Sequence, residues 1–178
     1  MRKLFLIFTF FIAFNSHAQQ TEATKWVDSV FKTLSPDEQI AQLMVVRLST
    51  INSQTKEVTF FDSAVAELIK QYNIGSICLF QGSPVKQATI INTLQAKAKT
   101  PLLVTIDAEW GVGMRMIDSV LPLPRQMMLG AVQDSSIAYD YGKLVAEQCK
   151  RIGIQVNFAP LVDINSNPNN PVINDRSF

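Results

Sequence analysis

The sequence predicts an α/β chain in which about four βα units lay their strands side by side in a parallel sheet. Three observations predict it. Short apolar runs alternate along the chain with segments of helical periodicity. Those runs, LMVVRL, SICLF, PLLVTID and IQVNFAP, are nearly continuous in apolar residues, as expected of strands covered on both faces. Capping residues and glycines punctuate the helical segments, so each unit has readable ends.

Taken in order, TKWVDSVFKTL has the spacing of a helix. Ser35-Pro36-Asp37-Glu38 then supplies an N-cap, a proline at the first helical position and a glutamate at the third, a capping box that opens the helix PDEQIAQL. The run LMVVRL reads as the first strand. A helix is expected around FFDSAVAELIKQY, stopped at Gly75, before the second strand SICLF. The helix VKQATIINTLQAKAK leads to the third strand, PLLVTID. After an irregular segment comes a long helix, Ser135 to Ile152, closed by Gly153, and then the fourth strand, IQVNFAP. Two architectures use such units, the closed (β/α)8 barrel and the open doubly wound sheet, and four strands are about half of the former.

Composition excludes several classes of function. The chain has 178 residues, 47% hydrophobic and 17% charged, with a formal net charge of +1, which suits a globular protein and offers no basic patch to nucleic acid. Residues 1–18, MRKLFLIFTFFIAFNSHA, read as a secretory signal peptide: Arg2 and Lys3 precede the apolar run Leu4 to Phe14, and Ser16-His17-Ala18 suits the peptidase. That run is too short to span a ~30 Å hydrocarbon core. Cleavage before Gln19 predicts export to the periplasm or medium, with no membrane anchor left on residues 19–178. It also removes His17, the single histidine, which excludes a Ser-His-Asp triad, a Cys-His pair and a histidine-rich metal site from the remainder. Cys78, in GSICLF, and Cys149, in a helical pattern, read as buried small hydrophobes rather than a disulfide.

The charge that matters sits where a strand ends. In either architecture ligands bind at the carboxyl ends of the strands, and LLVTI is followed there by Asp107, Glu109, Trp110 and Arg115. The fourth strand ends in NFAPLVDINSNPNNPVINDRSF, a loop carrying Asp163, Asp175 and Arg176 toward the same mouth. Asp107 and Glu109 would share a face if the backbone stayed extended, which suggests the carboxylate pair of a glycosidase, but any D-x-E would pass that test. Asp107 could equally cap a turn and Glu109 be solvated; Trp110 could stack on a sugar or pin the loop. GVG, Gly111 to Gly113, matches a dinucleotide loop poorly, because the third glycine position is Met116.

The stretches IDAEWGVGMRM, LPLPRQMMLGA and YGKLVAEQCKRIGIQVNFAPLVDINSNPNNPVINDRSF together resemble the N-terminal barrel of glycoside hydrolase family 3, in particular its bacterial β-N-acetylglucosaminidase branch. The resemblance runs from about Trp26 to Phe178, and it departs at Trp110-Gly111, where the family usually has a glycine pair. It implies the first half of a TIM-type (β/α)8 barrel in residues 19–178, a carbohydrate substrate, and neither metal nor nucleotide cofactor. It implies that Asp107 accepts hydrogen bonds from hydroxyls of the terminal sugar while Arg115 and Arg176 help to hold the same ring. It also implies that neither Asp107 nor Glu109 is the nucleophile: in the family that aspartate lies on a later strand, so no catalytic residue is expected in this chain. On that reading residues 1–178 are an N-terminal fragment of a retaining, exo-acting enzyme, expected neither to fold well nor to cleave glycosides alone. A β-glucosidase of the same family and a non-catalytic sugar-binding fragment are the alternatives.

Overall fold

The computed structural model describes residues 21–116 and 118–178; the leader read in residues 1–18 lies outside the described residues. The chain divides into two units, the first ending at Thr33 and the second spanning Leu34–Phe178. In the first unit α1, Glu22–Phe31, begins where the Thr21 hydroxyl accepts from the backbone N–H of Thr24.

The second unit opens with α2, Pro36–Ala41, and its capping box forms as the sequence requires: Ser35 Oγ accepts from Glu38 N at 3.2 Å, and Glu38 Oε2 accepts from Ser35 N at 2.8 Å. Strand β1, Val45–Arg47, follows. The chain then makes an antiparallel pair, β2, Ser49–Ile51, with β3, Val58–Phe60, which the sequence reading did not expect. Phe60 therefore belongs to a strand and Phe61 to a helix N-cap, and α3 is Asp62–Tyr72.

The stop of α3 also differs from expectation. Asn73, not Gly75, takes the left-handed conformation at the C-cap, with φ 55°. Asparagine tolerates that region, and here its carboxamide is held on both sides, donating to Thr100 Oγ1 at 3.1 Å and accepting from Thr100 N at 3.3 Å. Gly75 is needed for another reason: a Cβ there would lie 2.1 Å from the carbonyl oxygen of Gln42, so α2 and the start of the next strand approach too closely for any side chain.

Strand β4, Ser76–Leu79, is buried throughout, as its unbroken apolar run predicts. Helix α4, Pro84–Gln95, is capped by Ser83, and β5 is Leu103–Ile106. The segment read as irregular contains a 3-10 turn, Val112–Met114, and a short helix α5, Gln126–Gly130. Helix α6 spans Ser135–Ile152 and ends at Gly153 with φ 79°, as the sequence indicated; β6 is Val156–Asn157.

Strands β1, β4, β5 and β6 form one parallel sheet in that order. Each crossover steps to the same side, so the sheet never reverses as a doubly wound sheet does; this is how the first strands of a (β/α)8 barrel are laid. The two faces differ accordingly. Ile77, Leu79, Val104 and Ile106 join Val65 and Ile69 of α3, Ile91 and Leu94 of α4 and Cys149 of α6 in one core cluster. The register aligns Arg47, Cys78, Thr105 and Val156 across the sheet, and adjacent residues in a parallel ladder point to the same side. Val45, Arg47, Cys78, Phe80, Asp107 and Phe158 line an open concavity of about 480 Å³ on this inner face.

Candidate functional site

Asp107 is the residue after β5, at the carboxyl end of the sheet where barrels place their chemistry. The turn that follows is built to hold it. Asn157 of β6 donates to the carbonyl of Ala108 and accepts from its N–H, both at 3.0 Å, so the neighbouring strand grips the peptide beside Asp107. Gly111 then adopts φ 86°, and a Cβ there would press within 2.8 Å of Gln148 Oε1, an atom already accepting from Val112 N at 3.0 Å. With the chain turned back by the 3-10 turn, Arg115 returns to its starting point. Its Nε donates to the Asp107 carbonyl and its Nη2 to Asp107 Oδ2, each at 2.6 Å. The Arg115 side chain is 13% exposed and its guanidinium lies 4.7 Å from the Phe80 ring centroid. Arg47, on the inner face of β1, lies over the same ring at 4.7 Å.

Glu109 points elsewhere. The backbone leaves the extended form after Ile106, so the shared face that D-x-E spacing suggested does not arise. Glu109 is buried, and both its carboxylate oxygens accept from Arg176, Oε2 from Nε at 2.8 Å and Oε1 from Nη2 at 2.5 Å. Its backbone is fixed as well, the carbonyl accepting from Gln126 Nε2 at 2.5 Å. A carboxylate enclosed in this way is not a solvated loop residue. The pKa of the Arg176 guanidinium is raised above its usual value, chiefly by the hydrogen bonds it donates to Glu109 and further by the charges of Glu109, Asp107 and Asp163.

The structure thus brings Asp107 and Arg115 into direct contact and sets Arg176 within the electrostatic reach of Asp107, while Glu109 holds Arg176. Beside them, Arg125 donates to both oxygens of Asp175 at 2.7 Å and lies 4.6 Å from the Trp110 ring centroid, so Trp110 is pinned by an arginine. Sequence reasoning did not find the pairing of Glu109 with Arg176, because the partners stand 67 residues apart. Arg47 was legible only as a charge inside an apolar run, at the period of two that puts it beneath the mouth. Among the described residues no cluster of histidine, cysteine, aspartate and glutamate could hold a metal ion, and no helix is long and apolar enough to cross a membrane.

The family described as "Glycosyl hydrolase family 3 N terminal domain" matches residues 35–178. "Beta-hexosaminidase A" of Pseudoalteromonas piscicida is 38% identical over 133 residues, which cover 68% of this chain and 22% of the relative. "Beta-N-acetylglucosaminidase/beta-glucosidase" of Cellulomonas fimi is 25% identical over 153 residues, 86% of this chain and 25% of the relative. A solved family 3 β-N-acetylglucosaminidase from a Paenibacillus species shares the fold with a TM-score of 0.67 and 32% identity, over 81% of this chain and 27% of that one. The chain therefore spans about a quarter of the length of these relatives. A match that runs from the α2 cap to the last residue, over a sheet wound in the order of a barrel, shows that the chain belongs to glycosyl hydrolase family 3 and to its N-terminal domain.

Proposed function

We propose that this chain supplies the sugar-recognising part of a retaining, exo-acting β-N-acetylglucosaminidase that removes terminal β-linked N-acetylglucosamine from glycans or cell-wall fragments. The observation that carries the reading is Asp107, which lines the inner concavity just after β5 and is held there by Arg115. Arg115 occupies one oxygen of the Asp107 carboxylate and its carbonyl, fixing the side chain while leaving the other oxygen able to accept from a sugar hydroxyl. Arg176 offers planar donors to the same ring. Asp107, Arg115 and Arg176 are the substrate-binding residues on this reading, and no residue of the chain is assigned as nucleophile or acid.

The printed name of the Paenibacillus relative supports the N-acetylglucosaminide and that of the Pseudoalteromonas relative a hexosaminide, while that of the Cellulomonas relative names both activities and keeps β-glucosidase as the second reading. Export is part of the proposal and rests on Arg2, Lys3, the apolar run Leu4 to Phe14 and Ser16-His17-Ala18. The test is kinetic. The protein encoded by the whole reading frame containing this chain, given 4-nitrophenyl N-acetyl-β-glucosaminide and the matching β-glucoside, should show the higher kcat/KM on the former. A preference for the glucoside would select the second reading, and turnover of neither would defeat the proposal.

A further inference from the structure

We infer that Glu109 is a positioning residue for sugar binding: it fixes the Arg176 guanidinium within a closed ring of contacts that locks the loop after β5 to the loop after β6. The inference rests on the proposed role of Arg176 as a sugar ligand. The ring is short. Glu109 pairs with Arg176; the adjacent Asp175 pairs with Arg125; Arg125 lies over Trp110; and Trp110 is bonded in the chain to Glu109. Two neighbouring residues on one loop thus engage two neighbouring residues on the other, the second engagement passing through Arg125.

The start of α5 closes the bracket. Arg125 is its N-cap and reaches the outer limb, while Gln126, buried at its first position, donates to the carbonyl of Glu109. At the other end of the helix a Cβ on Gly130 would meet the backbone of Phe178 at 2.8 Å, so α5 also lies directly against the residues that follow Arg176. The inner limb is the stronger one. The Glu109 side chain is 6% exposed and the pair uses two parallel N–H donors, whereas Arg125 and Asp175 are 50% and 44% exposed.

The consequence for Arg176 follows from donor arithmetic. A guanidinium has five N–H groups. In this structure Nε and Nη2 each serve Glu109 and Nη1 serves the carbonyl of Val172, which leaves one N–H on each Nη for a ligand. Those two are aimed by the fork they share with Glu109. Without the carboxylate the same arginine keeps its charge and loses its aim, because a long side chain pivots freely unless its planar head is clamped. Trp110, standing where the family usually has glycine, gives the outer limb its stacking surface.

A double-mutant cycle in the whole-length protein tests this, reading the inhibition constant of free N-acetylglucosamine, KM and kcat on the chromogenic substrate, and Tm. Arg176→Ala should weaken sugar binding about tenfold or more, and Glu109→Gln, which keeps shape and removes charge, about three- to tenfold. In the Arg176→Ala background Glu109→Gln should add almost nothing, because it acts through Arg176. A loss that persists undiminished in that background, or unchanged binding in Glu109→Gln, overturns the inference. Unchanged binding in Arg176→Ala instead overturns the sugar-ligand role on which it rests. Should Glu109→Gln fail to fold, the exposed Arg125→Met decides: binding weakened about twofold at unchanged Tm supports the ring, and no change rejects it.

Discussion

Two ion pairs, Asp107 with Arg115 and Glu109 with Arg176, hold single residues of the loops at the carboxyl end of the sheet. Asp107 stood out because a carboxylate ended an apolar strand, and Arg115 and Arg176 because they fell within recognisable motifs. Glu109 drew notice only as half of a D-x-E pair; its burial against Arg176 was not legible, since it depends on a partner supplied by another loop. Gly75 shows the same limit: the sequence marked a helix stop, whereas the structure puts the stop at Asn73 and gives Gly75 a packing role. The two explanations predict different costs. Gly75→Ala sets a methyl against the Gln42 carbonyl, which must move, so the expected loss is about 3 kcal/mol or more rather than the ~1 kcal/mol of a lost helix-ending glycine. Urea unfolding of the variant measures it, and a loss near the smaller figure would mean that α2 and β4 are less tightly apposed than described.

At the scale of elements, those with long periodic patterns and capped ends were legible. Helix α6 was readable from Ser135 to Gly153 because its amphipathic repeat and left-handed glycine act locally. The β2–β3 pair was not: each strand has three residues, and the turn between them is organised by Asn52, whose Oδ1 accepts from Gln54 N and Thr55 N. The capping box of α2 was legible, but its second function was not. Glu38 Oε1 also accepts from Lys99 Nζ at 2.8 Å, joining the first helix of the second unit to the segment before β5. This hydrogen bond from Lys99, followed by that from the Ser35 N–H, lowers the Glu38 carboxyl from 4.5 to about 2. The folded value is depressed, so the stability it adds is complete above about pH 4.5 and is lost as the pH falls toward 2. Unfolding midpoints of parent and Glu38→Gln, measured from pH 6 downward, should converge across that window. A gap that stayed constant would show that the carboxyl charge contributes nothing to folding.

Across the whole molecule, two architectures are compatible with the apolar runs and the strand order selects between them. The order β1, β4, β5, β6 without reversal, helices gathered on the Ile77 and Val104 face, and Arg47, Phe80 and Asp107 on the other describe a barrel wall. Which strands pair is a long-range property that apolar runs do not carry, so periodicity found the strands and only the fold could order them. The same order places the loops after β5 and β6 side by side, and this is what brings residues as distant in sequence as Asp107 and Arg176 within electrostatic reach of each other. On the function proposed, this mouth recognises the terminal sugar through Asp107. The deciding quantity is kcat/KM of Asp107→Ala on 4-nitrophenyl N-acetyl-β-glucosaminide, measured in the whole-length protein beside the parent. Loss of a charged acceptor from a desolvated sugar contact should cost about 1.5 to 3 kcal/mol, a fall of roughly tenfold to more than a hundredfold. Near-parental kcat/KM in a folded Asp107→Ala variant would place the sugar pocket away from the end of β5.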